Sequence, residues 1–277
     1  MLTPDASLLT GKVAVVTGGG GGIGRAISET FAAHGAKVVV AEIDADRARD
    51  TVDAIRAERG DALAQVVDVS KRDQVEALAE ATRAEYGRVD VLVNNVGHYL
   101  YRAARFLDSD EEQWDALYAA NLRHVLLCTK ALAPSMVEQG DGGSIVNVST
   151  VEAFRGIPMM AVYSAFKAGV VQFTKSLALE LGGDGIRVNG IAPDLTQTIQ
   201  VPYDRWVPDE QQHLIPRWVP VGRFGMPDDI AGVALFLASD LSAFVTGTTV
   251  HADGGSLAAG GWYRTERGNW TNRPINP

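Results

Sequence analysis

The chain has 277 residues, 46% of them hydrophobic, and a formal net charge of -9. That length buries one large core, and the apolar share excludes a disordered chain, while the acidic balance argues against nucleic acid, which needs a basic face. A single cysteine, Cys128, excludes an internal disulfide, and no basic-then-apolar leader or membrane-length apolar run is present, so a cytoplasmic protein without a membrane span is expected.

The first predicted strand, 12–17, carries Val13-Ala-Val-Val-Thr17, apolar throughout as a buried parallel strand should be. Gly18-Gly-Gly-Gly-Gly22-Ile23-Gly24 follows, then Arg25 to His34 with helical spacing. A strand, a glycine turn and a helix make a dinucleotide-binding opening: glycines admit a pyrophosphate closely, and the helix N-terminus offers NH groups. The second strand, 36–42, ends at Glu42, 18 residues beyond Gly24. An acid there can accept both hydroxyls of an adenosine ribose and would repel a 2′-phosphate. Ile43 and Asp44 come next and no basic residue precedes Gly22 in the loop, so NAD is expected rather than NADP.

Further strands are predicted at 62–67, 89–94, 142–149, 186–191 and 247–252, with helices between them, including long ones near 111–138 and 160–182. This alternation predicts one α/β domain over 1–277: a Rossmann-type, doubly wound parallel sheet of about seven strands with helices on both faces. Pro202, Pro208, Pro216 and Pro220 interrupt 195–227. A structureless segment of that length in a compact domain is usually functional, and it is expected to be a substrate lid. The C-terminal extension, 256–277, holds Trp262, Tyr263 and Trp270, too apolar for a free end. It is expected to dock over its own lid or on a neighbouring subunit.

Tyr163 and Lys167 lie four apart in a predicted helix, about one turn, so both side chains share a face. A tyrosine hydroxyl ordinarily ionises near pH 10, and a nearby lysine cation is expected to lower that value. Alone, such a pair is more often a helix surface. The five histidines (34, 98, 124, 213 and 251) lack ligand spacing, so no catalytic metal is expected.

From about Gly11 to Gly255 these features resemble the short-chain dehydrogenase/reductase family. Thr17-Gly18-x-x-x-Gly22-Ile23-Gly24 matches its cofactor motif, Asp68-Val69 its adenine-contacting acid, and Asn94-Asn95-Val96-Gly97 its Asn-Asn-Ala-Gly. Asn121 matches the asparagine of its central helix, Tyr163-Ser-Ala-Phe-Lys167 its Tyr-x-x-x-Lys core, and Asp253-Gly254-Gly255 its last strand end. The family's catalytic serine falls 13 residues before the tyrosine; Thr150 stands there, with Ser149 just before as the alternative hydroxyl. Pro193-Asp194 replaces a usual Pro-Gly, and Thr198 fits the threonine that bonds the nicotinamide carboxamide.

The resemblance implies reversible hydride transfer between NAD and a secondary alcohol or ketone. Tyr163 would move the proton, Lys167 would tune it and bond the nicotinamide ribose, Thr150 would donate to the substrate oxygen, and Asn121 would hold a relay water. The substrate side is expected to include His98, Tyr99, Leu100, Tyr101, Glu152, Phe154, Arg155, Met159, Met160, Trp206, Leu214, Ile215 and Trp218. That set suits a bulky hydrophobic or cyclic, steroid-like small molecule. A cis-dihydrodiol dehydrogenase of aromatic catabolism and a 3-oxoacyl thioester reductase are the alternatives. A homotetramer is expected, contacting through the two long helices.

Overall fold

A computed structural model describes residues 3–100, 103–260, 263–264 and 270–272, the side chains of 204, 217, 218, 263, 264 and 270 excepted. Seven strands build its main sheet: β1 (Val13–Thr17), β2 (Lys37–Glu42), β3 (Asp61–Val66), β4 (Val91–Asn94), β5 (Gly143–Val148), β6 (Ile186–Pro193) and β7 (Thr249–Ala252). All pair in parallel, in the order β3-β2-β1-β4-β5-β6-β7. The doubly wound α/β fold follows from this pattern of strands.

The two-residue strand period divides the core in two. Ala14 and Val16 of β1, with Val38, Val40, Val91 and Val93, meet α1 (Gly22–Ala33) and α9 (Pro227–Ala238). Val15, Val39, Leu92 and Ile145 face the other way, against α3 (Arg72–Tyr86), α5 (His124–Gln139) and α6 (Ala161–Leu181). Cys128 belongs to that second core, its thiol pushed up to about 12 by burial, which makes it inert.

Chain order reverses at β1, which has β2 on one side and β4 on the other. A crevice opens at the carboxyl ends of strands at such a point. The helix predicted over 111–138 is divided: α4 (Glu111–Tyr118) runs into a π turn, Ala119–Arg123, and then into α5. Asn121 sits in that turn, and π turns of this kind frequently mark functional positions.

The segment 195–227 is not structureless. It contains α7 (Tyr203–Trp206), a 3-10 turn at Asp209–Leu214 and α8 (Ile215–Trp218). Leu195, Tyr203 and Val219 form a core of their own, with Val201, Trp206, Ile215 and Phe224 packed on it. Its two ends are pinned together where Gln197 N donates to Gly225 O at 2.8 Å and Gly225 N to Leu195 O at 3.1 Å.

Candidate active site

At the crevice, α1 starts at Gly22 and Gly21 precedes it as the N-cap. Gly18 (φ +62°) and Gly22 (φ +50°) adopt left-handed backbone, which costs glycine nothing and other residues strain. A Cβ on Gly24 would collide with the Gly18 carbonyl oxygen, and one on Gly18 would press Asn95 Nδ2 at 3.1 Å. Gly18, Gly22 and Ile23 line a cleft of about 780 Å³. Gly24 is buried beneath the turn instead, packing the helix on the loop. Backbone NH groups at a helix start, in a cradle any side chain would fill, fit a dinucleotide pyrophosphate.

Glu42, Asp68, Val69, Asn95 and Gly97 continue the wall. Asn95 locks β4 to the glycine loop: its N–H donates to Thr17 Oγ1 at 3.0 Å and its Nδ2 to Thr17 O at 3.0 Å. Glu42 is buried, and its carboxylate accepts from Gly20 N at 3.2 Å, Ile43 N at 3.0 Å and Asp44 N at 3.2 Å. Arg47 Nη2 also donates to it at 3.1 Å. Arg47 lines the same cleft. Sequence reasoning inspected the glycine loop and the residues directly after Glu42 and missed this cation, which the first turn of α2 (Ala45–Ala57) carries back to Glu42.

Thr150, Tyr163, Lys167, Pro193 and Thr198 all line this cleft. The Thr150 hydroxyl donates to the Pro193 carbonyl at 3.4 Å and lies near enough to the Tyr163 phenol to oppose the rise in its pKa. Ser149 also lines the cleft, and its hydroxyl donates to the Lys167 carbonyl at 2.9 Å. Lys167 is buried, its Nζ donating to Val148 O at 3.2 Å, and burial lowers its ammonium to about 8. Gly97 makes room for it, since a Cβ there would lie 2.5 Å from Nζ. Thr198 packs beside Gly22 and accepts from Val201 N at 3.1 Å.

The expected fall in the Tyr163 pKa is reversed. Burial pushes the phenol upward, and Glu152 and then Asp194 add to the rise; the Thr150 hydroxyl opposes it. Burial sets the direction, and two carboxylates brought in from separate loops reinforce it. Asn121 stands behind the cleft wall. Its Oδ1 accepts from His98 N at 3.1 Å, and its Nδ2 donates to His98 O at 2.8 Å and Leu117 O at 2.9 Å, so its amide braces the loop after β4. Next to it His124 is fully buried and pushed down to about 3 by burial, with Lys167 adding to the fall. It is therefore neutral at working pH, and only its count had been read from the sequence.

A family model described as Enoyl-(Acyl carrier protein) reductase matches residues 18–256, most of the chain. The chain belongs to the short-chain dehydrogenase/reductase family. It is 40% identical to a 3-oxoacyl-[acyl-carrier-protein] reductase of Thermotoga maritima, over 89% of this chain and 98% of that one. It is 37% identical to a D-threitol dehydrogenase of Mycolicibacterium smegmatis, over 89% and 93% respectively. A solved 7α-hydroxysteroid dehydrogenase, complexed with NADH and 7-oxo glycochenodeoxycholic acid, superposes with a TM-score of 0.86 at 34% identity, covering 92% of this chain and 98% of that one. The protein is an oxidoreductase of this family acting on CH–OH groups.

Of the expected substrate-side residues, His98, Tyr99, Glu152, Met160 and Trp206 line the cleft of this short-chain dehydrogenase/reductase. Ile215 packs on the core of segment 195–227 and Leu214 is buried, neither lining the cleft. Phe154 packs edge-on to His251, with centroids 4.5 Å apart, and Met159 is half exposed. Leu100 is not part of the cleft lining, while Tyr101, Trp262 and the side chains of Trp218, Tyr263 and Trp270 fall outside the described residues. Arg155, expected on the substrate side, is 11% exposed and held between Glu152 and Asp194. Ile157, Tyr203 and the tail residue Asn272 also line the cleft and were not foreseen. Among the described residues no cluster of His, Cys, Asp or Glu could hold a metal ion, and no helix is long and apolar enough to cross a membrane.

Proposed function

We propose that the protein is an NAD-dependent dehydrogenase interconverting a secondary alcohol and a ketone on a bulky, largely apolar cyclic substrate. The observation that carries this reading is the meeting of Tyr163, Thr150 and Lys167 with the glycine cradle in one cleft. Gly18, Gly22 and Ile23 would hold the pyrophosphate, Glu42 the adenosine ribose, Asp68 and Val69 the adenine. Asn95, Gly97, Pro193 and Thr198 would flank the nicotinamide end. Bound NAD supplies the acceptor for the carbinol hydrogen and, when oxidised, a positive charge beside Tyr163.

Tyr163 then takes the hydroxyl proton in oxidation or returns it in reduction. Thr150 steadies the substrate oxygen as charge develops on it. Lys167 would contribute its cation to the phenolate and hold the nicotinamide ribose. Asn121, from the π turn, fixes the backbone of His98 beside them, and we assign it the relay water of the family pattern. Apolar Ile157, Met160 and Trp206 suit a ring.

NAD is preferred because Glu42 is buried at the ribose end. NADH formation from cyclic secondary alcohols should therefore favour NAD over NADP at least tenfold in kcat/KM; a preference for NADP contradicts the assignment. Glu42→Ala should move that ratio toward NADP by about tenfold, equivalent to about 1.4 kcal/mol, because Arg47 is then released to meet a 2′-phosphate. Fluorescence titration with NADPH gives the same comparison without turnover.

A 3-oxoacyl thioester reductase, the activity named for the Thermotoga relative, is the second reading. Acceptor-only carbonyls suit the acidic cleft wall poorly. We also propose a cytoplasmic homotetramer, supported by Val137 on α5 and Leu179 on α6, whose side chains lie exposed. Asn272 in the cleft wall supports docking of the extension over its own subunit.

A further inference from the structure

Thr150 sits on a closed ring of hydrogen bonds. Glu152 N donates to its hydroxyl oxygen at 3.3 Å, and that hydroxyl donates to Pro193 O at 3.4 Å. Asp194 follows Pro193, and Arg155 joins the two sides. Its Nη2 donates to Glu152 Oε1 at 2.9 Å and to Asp194 Oδ2 at 2.8 Å, and its Nε to Glu152 Oε2 at 3.3 Å. The ring thus runs from Thr150 through Glu152, Arg155, Asp194 and Pro193 and back, tying the loop after β5 to the end of β6. The three charged side chains are 11% exposed or less. Arg155 itself is not part of the cleft lining.

The far side of the ring is fixed as well. Asp194 accepts from Ser256 Oγ at 2.5 Å, at the start of α10 (Ser256–Ala259), and from Leu195 N at 2.9 Å. Leu195 is held in left-handed backbone (φ +44°), which a leucine adopts only where its surroundings impose it. Asp194 also replaces the glycine of the family pattern, so this half of the bridge is a feature of this chain.

A hydroxyl has one proton to give. With the Glu152 N–H on one lone pair of Thr150 Oγ1, that proton is directed to the other side, where Pro193 O accepts it and a substrate oxygen in the cleft would compete for it. Shifting either loop turns the proton off that line, and misplacement by about 1 Å can cost about 10²-fold in rate. A planar guanidinium holds two carboxylates at a fixed spacing, which an ammonium does not. Burying three charges is costly unless their pairing is complete, and these carboxylates also oppose ionisation of Tyr163. A cluster kept at that double cost beside the reacting oxygen points to positioning. We propose that Arg155 is a positioning residue that acts through Thr150: by bridging Glu152 to Asp194 it aims the Thr150 hydroxyl at the substrate oxygen. This rests on the dehydrogenase reading above and adds to it a residue that does not touch the substrate.

The test is a double-mutant cycle in the full-length protein, using NAD and the best of the cyclic secondary alcohols. Arg155→Lys keeps the buried cation and loses the fork. It should lower kcat about tenfold and leave KM within about threefold, with NADH affinity by fluorescence titration within about twofold of wild type. In a Thr150→Val background the same substitution should cost less than about twofold further, because the hydroxyl it aims is gone. Losses that multiply in the double variant overturn the inference, and so does an Arg155→Lys kcat within about twofold of wild type. Asp194→Ala cuts the same bridge from its other end and leaves Arg155 paired with Glu152, so no buried charge stands alone. It should reproduce the cycle, and it decides the matter if the Lys protein does not fold. If no alcohol of the panel reduces NAD or NADP in the wild type, the dehydrogenase reading fails and takes this inference with it. That outcome is distinct from turnover with multiplying losses.

Discussion

Tyr163→Phe should reduce turnover about a thousandfold while NADH binding, measured by fluorescence titration, stays within about twofold. The substitution removes the one oxygen proposed to exchange a proton with the substrate, and positioned acid–base groups are worth about 10²–10⁴ in rate. The ring and its place on α6 are retained. The pH dependence follows from the same group. Its pKa is raised, by burial first and Glu152 second, so the protonated form dominates at neutral pH. Alcohol oxidation needs the deprotonated form and should climb as pH rises above neutrality; ketone reduction needs the proton and should fall. Tyr163→Phe should flatten both limbs. Turnover above about a tenth of wild type would contradict the assignment.

Thr150→Val should reduce kcat about a hundredfold, and Ser149→Ala should leave it within a fewfold. Valine keeps the branched shape and loses only the hydroxyl, and one donor to a developing oxyanion is worth about 10²–10³ in kcat. Ser149, by contrast, spends its hydroxyl on the Lys167 carbonyl at 2.9 Å, so its loss costs about 1 kcal/mol of stability. Thermal denaturation beside steady-state kinetics separates the two. The reverse ranking, with Ser149→Ala the more damaging to kcat, would assign the substrate contact to the serine.

The sheet was legible because its strands are apolar runs such as Val13-Ala-Val-Val and Lys37-Val-Val-Val-Ala, and because glycine must occupy the turn after β1. The choice between Ser149 and Thr150 was open, since both carry a hydroxyl at the end of β5. Both residues line the cleft, but Thr150 is fully extended (φ -166°, ψ 158°) and in extended chain adjacent side chains diverge, so their hydroxyls point to different partners: Ser149 to the Lys167 carbonyl, Thr150 to the Pro193 carbonyl. Arg47 escaped notice because a helical turn, not adjacency, returns it to Glu42. The Tyr163 shift escaped for a related reason: burial is its largest cause, and Glu152 and Asp194, which add to it, lie 42 positions apart in the sequence and are bridged by Arg155 in the fold. The segment 195–227 seemed irregular because its prolines break long helices, yet three short turns suffice to close a cluster around Tyr203 and Val219.

The most direct measurement is a crystal structure with NADH and a cyclic ketone bound. The phenol oxygen of Tyr163 and Oγ1 of Thr150 should both lie about 2.6–3.2 Å from the ketone oxygen, with Glu42 at the adenosine ribose. A ketone oxygen held by Ser149, or a Tyr163 hydroxyl out of reach of it, would contradict the account.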